Sequence, residues 1–235
     1  MLPKITRRRV IGLGLVTLAG TLLPTFANGT ALGQPDKFGL PFAGQPGLAN
    51  WFVRQWYGNT RWAYRQRRAI YGAGQGLHFG VDFFAPCGSP IIAIGDGIVA
   101  AVDGPYGSAP HNLLIRHPNG YASLYGHLSQ RATLRVGQQV RRGEVVAFSG
   151  VPNGTDCDTR AHLHLEIRTS NLGGTVNPIP LMEADWPNLT LGLPDEGLEF
   201  EINLDNPTQW QTIYNQPAVY FGRALLNDFA RPWPG

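Results

Sequence analysis

Four histidines, an aspartate and a glutamate fall in three short segments: His78-Phe79-Gly80-Val81-Asp82, Tyr125-Gly126-His127-Leu128 and His162-Leu163-His164-Leu165-Glu166. Neutral imidazoles with one carboxylate are what a catalytic zinc ion takes from a protein, three ligands being fixed and a fourth position left to water. In an extended segment alternate side chains share a face, so His162, His164 and Glu166 point one way and Leu163, Leu165 and Ile167 the other. If residues 78–82 are extended as well, His78, Gly80 and Asp82 lie together, with Gly80 leaving room between the two candidate ligands. The chain has only six histidines, and their clustering with carboxylates marks a metal site rather than scattered structural residues.

The neighbours of these residues carry expectations of their own. Tyr125, two positions before His127, should share its strand face, and is expected to be a packed aromatic rather than a participant. Glu166 is expected to support its strand by a hydrogen bond, because a fourth protein ligand would close the site. His117, ahead of Pro118, is expected at the surface, whereas His111 sits in a Gly- and Pro-rich loop that either rims the cleft or does not. Cys87 and Cys157 each lie a few residues from a candidate metal-site segment. They either close a disulfide in an oxidising compartment or remain two small buried thiols.

The elements that must position this chemistry are strands. The chain has 235 residues, 43% hydrophobic and 15% charged, with 30 Gly and 19 Pro, enough for one medium domain rich in turns. Helical periodicity is scarce after residue 70, and short alternating runs recur between Gly, Pro and Asn, which predicts a mainly β, antiparallel fold. Residues 89–102 alternate around Gly95-Asp96-Gly97, and the runs 113–116 and 121–125 flank Asn119-Gly120, a hairpin signal. Residues 136–147 read as two more short strands across a glycine turn, before the strand at 162–168.

Four regions follow: an export signal at 1–34, a basic aromatic lead at 35–70, the chemistry-bearing domain at 71–182 and an acidic aromatic extension at 183–235. The first holds Lys4 and the run Arg7-Arg8-Arg9 before a modest apolar stretch. That suggests the twin-arginine route, with cleavage after Ala27 or Ala31, and a retained membrane anchor is the alternative. It also carries four positive charges and no acid, so the remainder is near neutral despite a pI of about 9.0. Binding of nucleic acid or another polyanion is not expected, nor a membrane span once the signal is gone. The lead, dense in Trp, Tyr and Arg, is read as a short helix or loop packing aromatics on the core rather than as a glycan-stacking platform. Lead and extension have opposite charge, which suggests that they dock on one another. A biotinyl- or lipoyl-type carrier is excluded, because the only lysines are Lys4 and Lys37.

Taken in order, His-x-Gly-x-Asp, Tyr-x-His-Leu and His-Leu-His-x-Glu resemble the lysostaphin and LytM-type zinc endopeptidases over roughly residues 71–180. Gly95-Asp96-Gly97 and the stretch from Gly137 to Gly143 also resemble fold markers of that family. The resemblance implies a small antiparallel β domain with a cleft. It implies one zinc ion held by His78, Asp82 and His164, with His127 and His162 as catalytic histidines acting on peptides of bacterial peptidoglycan outside the cytoplasm. Ala161 stands before His162 where a Gly-Pro or similar pair is common in the family. The competing reading is a non-hydrolytic wall-binding or regulatory module, with residues 183–235 acting as a lid or as a docking arm for a wall amidase.

Overall fold

A computed structural model describes residues 37–154, 156–189, 200–202 and 210–228. The expected export signal and its cleavage site lie outside these residues. Among the described residues no helix is long and apolar enough to cross a membrane.

Strands in chain order are β1 (Phe52–Gln55), β2 (Val81–Phe84), β3 (Pro90–Ile92), β4 (Gly97–Val102), β5 (His111–Arg116), β6 (Ala122–Leu128), β7 (Gln139–Val140), β8 (Val145–Phe148), β9 (His162–Arg168), β10 (Gly174–Val176), β11 (Phe200–Ile202), β12 (Trp210–Thr212) and β13 (Val219–Tyr220). The main sheet runs β1-β2-β9-β6-β5-β4-β7, wholly antiparallel, and β10 leaves β9 to pair with β13. The fold is therefore mainly β and antiparallel, as the alternation implies.

Two turns show how the sequence sets this order. The Asn119-Gly120 hairpin joins β5 to β6. Gly120 has φ +86°, its N–H reaches the His117 carbonyl at 3.2 Å, and the His117 N–H reaches the Tyr121 carbonyl at 2.9 Å. The two strands expected in 136–147 form, but they do not pair with each other. Around the turn at Gly143, β7 closes the edge of the main sheet on β4 while β8 pairs with β3 in a second, two-stranded sheet.

Strand alternation gives the main sheet one apolar face, where Val81, Phe83, Leu113, Ile115, Tyr125, Leu163, Leu165 and Ile167 are buried in one cluster. The lead closes over this core: Phe38, Phe42, Trp51, Trp56 and Tyr57 join it, and Trp56 meets Trp186 edge to face at 5.7 Å. The aromatics of the lead are thus core residues. Its short helix α1 (Arg61–Arg65) starts at Thr60, whose side chain accepts from the Ala63 N–H. The extension docks on the lead, through ion pairs at its edge and buried polar bonds within. Asp228 pairs with Arg68 at 2.5 Å and Arg67 at 3.5 Å, and buried Asn227 bonds Asn59 at 3.0 Å. Cys87 and Cys157, 70 positions apart, are joined as a disulfide. In the chain-entropy account a loop of that length contributes about 4 kcal/mol. Here it ties the loop after β2 to the loop before β9.

Candidate metal centre

The site lies on the opposite face of the main sheet from the apolar cluster, and register builds it. Asp82 of β2 stands opposite His164 of β9, and Gly126 of β6 stands opposite the same histidine on its other side. His162, His164 and Glu166 share this face, as alternation requires. His78 reaches it differently. It precedes β2 and is held by two backbone bonds to Gly58, the N–H of each residue reaching the carbonyl of the other at 2.7 and 2.8 Å. Gly80 makes room for His164 rather than for a gap between ligands, since a Cβ there would stand 2.6 Å from the ring and 2.7 Å from the Leu165 carbonyl.

His127 departs from the alternation. Between the pairs Leu113↔Tyr125 and His111↔Leu128, β6 carries one residue more than β5, and His127 takes up the bulge at φ +57°. The bulge turns its ring toward His162 and His164, with centroids 4.9 and 5.8 Å away. Tyr125 does not share that face. It stays in the apolar core, its hydroxyl accepts the Ile94 N–H at 2.9 Å, and burial raises its pKa to about 12.

Each imidazole has one nitrogen anchored outside the site and the other turned into it. His78, His127 and His162 donate Nδ1–H to the carbonyls of Trp56, Ala109 and Arg160, each at 2.6 Å, which leaves Nε2 to face the site. His164 is reversed: Nε2 lies 3.2 Å from Glu166, and Nδ1 points inward, 2.7 Å from Asp82 Oδ1 and 3.2 Å from His78 Nε2. His78 Nε2 is also 3.2 Å from Asp82 Oδ1. These three ligand atoms all lie within 4.8 Å of one another, and all three residues are buried. A tetrahedral ion with bonds of about 2.0–2.2 Å sets ligand edges of about 3.3–3.6 Å. The observed spacing is slightly tighter, and the donor set, two imidazoles and one carboxylate with outward-tied protons, fits such an ion. His162 Nε2 stands further off, 3.7 Å from Asp82 Oδ2. His127 is the most open of the five.

The electrostatics agree with this geometry. Burial pushes the Asp82 carboxyl up, but the imidazoles of His78 and His162 and the hydrogen bond from His164 outweigh it and hold the group well below the usual range. Burial opposes charge on His164 too, yet its bonds to Asp82 and Glu166 raise it to about 9. His127 is lowered to about 3 by burial and by the neighbouring rings of His162 and His164. His162 is lowered, chiefly by burial, with Asp82 resisting. His127 and His162 are therefore neutral bases at ordinary pH.

Glu166 supports a ring, as well as its strand. It is fully buried, faces His164 with one oxygen, and accepts Arg168 Nε at 2.6 Å with the other. Arg168 was not among the residues singled out from sequence, although it continues the alternation His162, His164, Glu166 by one step. The carbonyls of Trp56, Ala109 and Arg160 carry no side-chain signal. His117 is buried, not at the surface, with Nδ1–H donated to the Asp96 carbonyl and Nε2 facing the Ser123 hydroxyl, both at 2.8 Å. His111 faces Asp103 at 3.0 Å, and neither joins the site. A recess of about 1060 Å³, lined by Asp96, Arg116, His117 and Glu144 among others, shares none of the five site residues.

Residues 76–178 match the family described as Peptidase family M23. The DD-carboxypeptidase/endopeptidase Mpg of Neisseria meningitidis serogroup B is 42% identical over 105 residues, 44% of this chain and 22% of that protein. Lysostaphin of Staphylococcus simulans is 31% identical over 133 residues, 55% of this chain and 26% of that one. Among solved structures, a zinc-containing peptidase from Vibrio cholerae aligns with a TM-score of 0.47 at 26% identity, covering 65% of this chain and 41% of the other. The chain thus spans about a quarter of the length of the curated relatives named here.

Proposed function

We propose, on the premise that residues 76–178 form a metallopeptidase domain of family M23, that this protein is a zinc-dependent endopeptidase of bacterial cell-wall peptidoglycan. The single observation that carries the reading is the convergence of His78 Nε2, His164 Nδ1 and Asp82 Oδ1, each with its other polar atoms tied elsewhere or turned inward. Two relatives point to the substrate class, being named as a DD-carboxypeptidase/endopeptidase and as a peptidoglycan DD-endopeptidase.

In this reading His78, Asp82 and His164 hold the ion. Zinc bound there supplies Lewis acidity and brings the pKa of water toward neutrality. His127 and His162 move the protons: each is neutral, fixed by its Nδ1–H bond and free at Nε2. One takes the proton of the attacking water. That same proton, delivered from one ring or the other, then stabilises the tetrahedral oxyanion and completes the departing amine. No separate carboxylate base is needed, because Glu166 is fully buried and committed to His164 and Arg168. The Cys87–Cys157 disulfide supports an exported, oxidising location. No feature among the described residues favours the amidase-docking alternative.

The test is to load the protein with one equivalent of zinc, incubate it with peptidoglycan sacculi and map new amino termini in the soluble fragments by mass spectrometry. New termini that vanish with a chelator and with His162→Ala are expected, and they name the bond. Binding to sacculi without cleavage, in protein confirmed to hold zinc, overturns the enzyme in favour of a binding module.

A further inference from the structure

The extension lies outside the matched domain, yet it touches residues that back the metal site. The ladder fixes the main one. Beyond Arg168, which pairs with Thr175, β10 pairs with β13, and the Phe221 N–H then reaches the Gly173 carbonyl at 3.1 Å. That bond sets the Phe221 ring against two neighbours of a single histidine. On one side it meets Phe79 edge to face at 5.6 Å, and Phe79 meets the His164 ring edge to face at 5.4 Å. On the other it lies 5.0 Å from the guanidinium of buried Arg168, which is also 5.3 Å from the Tyr106 ring. Arg168 donates to Glu166, and Glu166 faces the outer nitrogen of His164.

We infer that Phe221 of the C-terminal extension is a positioning residue for the metal centre, holding His164 in its ligand orientation through Phe79 on one side and through Arg168 and Glu166 on the other. This rests on His78, Asp82 and His164 binding a metal. The physical argument concerns orientation. An imidazole rotates about two bonds, and its Nδ1 serves as a ligand only while Nε2 is held outward and the ring plane is blocked from turning. Glu166 supplies the hold, but a carboxylate is itself aimed only as well as its partner. Arg168, a planar fork in contact with two aromatic rings, is the rigid partner that Lys would not be. One of those two rings comes from the extension.

The extension also braces His78. Gln216 Oε1 accepts the Asn59 N–H at 3.0 Å, and Asn227 bonds both Asn59 and the Gly76 carbonyl. Asn59 adjoins Gly58, whose backbone pair holds His78. So residues 216–227 reach the two histidine ligands through separate contacts. The matched segment 76–178 holds the ligands, but these supports come from outside it.

The experiment uses the full chain, loaded with cobalt(II) as a spectroscopic stand-in and with zinc for affinity. In Phe221→Ala, zinc affinity by chelator competition should fall about 10-fold, as for other outer partners of metal-ligating histidines. The visible cobalt spectrum should shift or broaden at full occupancy. Phe221→Tyr keeps the ring and should restore both. Arg168→Lys should reproduce the spectral change with Phe221 intact, and the double variant should be no worse than the more severe single one. Should Phe221→Ala fold poorly, Phe221→Leu, which keeps bulk without the ring, should still alter the spectrum. Unchanged affinity and spectrum in Phe221→Ala, or full additivity with Arg168→Lys, would overturn the inference while leaving the metal site standing. A wild-type chain that takes up no zinc or cobalt would overturn the metal site itself, and this inference with it.

Discussion

His117 and His164 are two buried histidines of one molecule with both ring nitrogens engaged, and they are built for opposite ends. His117 lies between a backbone carbonyl and a serine hydroxyl, so a neutral ring satisfies both partners, and burial lowers its pKa from 6.5. His164 lies between two carboxylates, Asp82 and Glu166, which overcome the same penalty and raise it to about 9. A buried imidazole between neutral groups needs nothing further. One between two acids needs a positive charge, which the metal-free ring supplies as its own proton and a bound cation can supply instead. Burial is common to both; the sign of the surroundings makes one a site and the other a rivet.

The strongest way to break this comparison is to remove each side in turn. His164→Ala and Asp82→Asn should lose the metal, and hydrolysis of sacculi should fall by more than about 100-fold, whereas His117→Gln should leave turnover near wild type. His162→Ala separates ligand from catalyst: it should keep the metal and lose about 10²- to 10⁴-fold in rate. Metal content measured beside rate decides the matter, and equal metal loss in His162→Ala, His164→Ala and Asp82→Asn would show that the division is wrong. Glu166→Gln is a finer cut, taking one negative charge from beside His164 and from Arg168. Metal affinity by chelator competition should drop about 10- to 100-fold while His127 and His162 stay in place.

Much of this was legible in the chain, for reasons that differ by residue. The period of two placed His162, His164 and Glu166 on one face, because β9 is a regular strand from His162 to Arg168. The hairpin was legible because Asn119-Gly120 fits only a narrow set of backbone shapes. Periodicity failed where the backbone leaves the ladder. His127 sits on a bulge that separates its face from that of Tyr125, and His78 is held by a bridge to Gly58 from the lead. His117 was misjudged because a turn residue beside proline usually faces solvent, whereas here the lead covers it, Phe38 meeting its ring at 4.8 Å. The contacts of Phe221 were illegible for a different reason. They join segments more than 40 residues apart through β10 and β13, a pairing that no local pattern encodes.

A smaller effect sharpens the other half of the comparison. Because His117 is held neutral, the unfolded chain takes up a proton there as pH falls below about 6.5 and the folded chain does not until a lower value. Its contribution to stability is intact above the unfolded pKa and is lost progressively as pH falls beneath it. His117→Gln removes this proton uptake and at least one buried hydrogen bond. At pH 8 it should be the less stable protein, by about 1–3 kcal/mol. Between pH 7 and pH 5 the gap to wild type should narrow. Paired urea titrations at the two pH values measure it, and a gap that widens in acid would mean that His117 is charged in the folded state.

The weakest effect should come from Asp228, in the seam between lead and extension, where charge suggested docking but burial carries it. Asp228 bonds Arg67 and Arg68 with its side chain 40% exposed, so water and salt screen the pairs and Asp228→Asn should cost no more than about 1 kcal/mol. One residue earlier, Asn227 is fully buried and bonds Asn59 and the Gly76 carbonyl, so Asn227→Ala removes two buried hydrogen bonds and should cost about 1–3 kcal/mol. Salt separates the two: raising NaCl to about 1 M shortens the screening length to about 3 Å and should erase the Asp228 difference while leaving the Asn227 difference intact. Equal costs at both positions, with equal salt dependence, would mean that the extension is held by long-range charge. The supports it gives to His78 and His164 would then loosen at high salt.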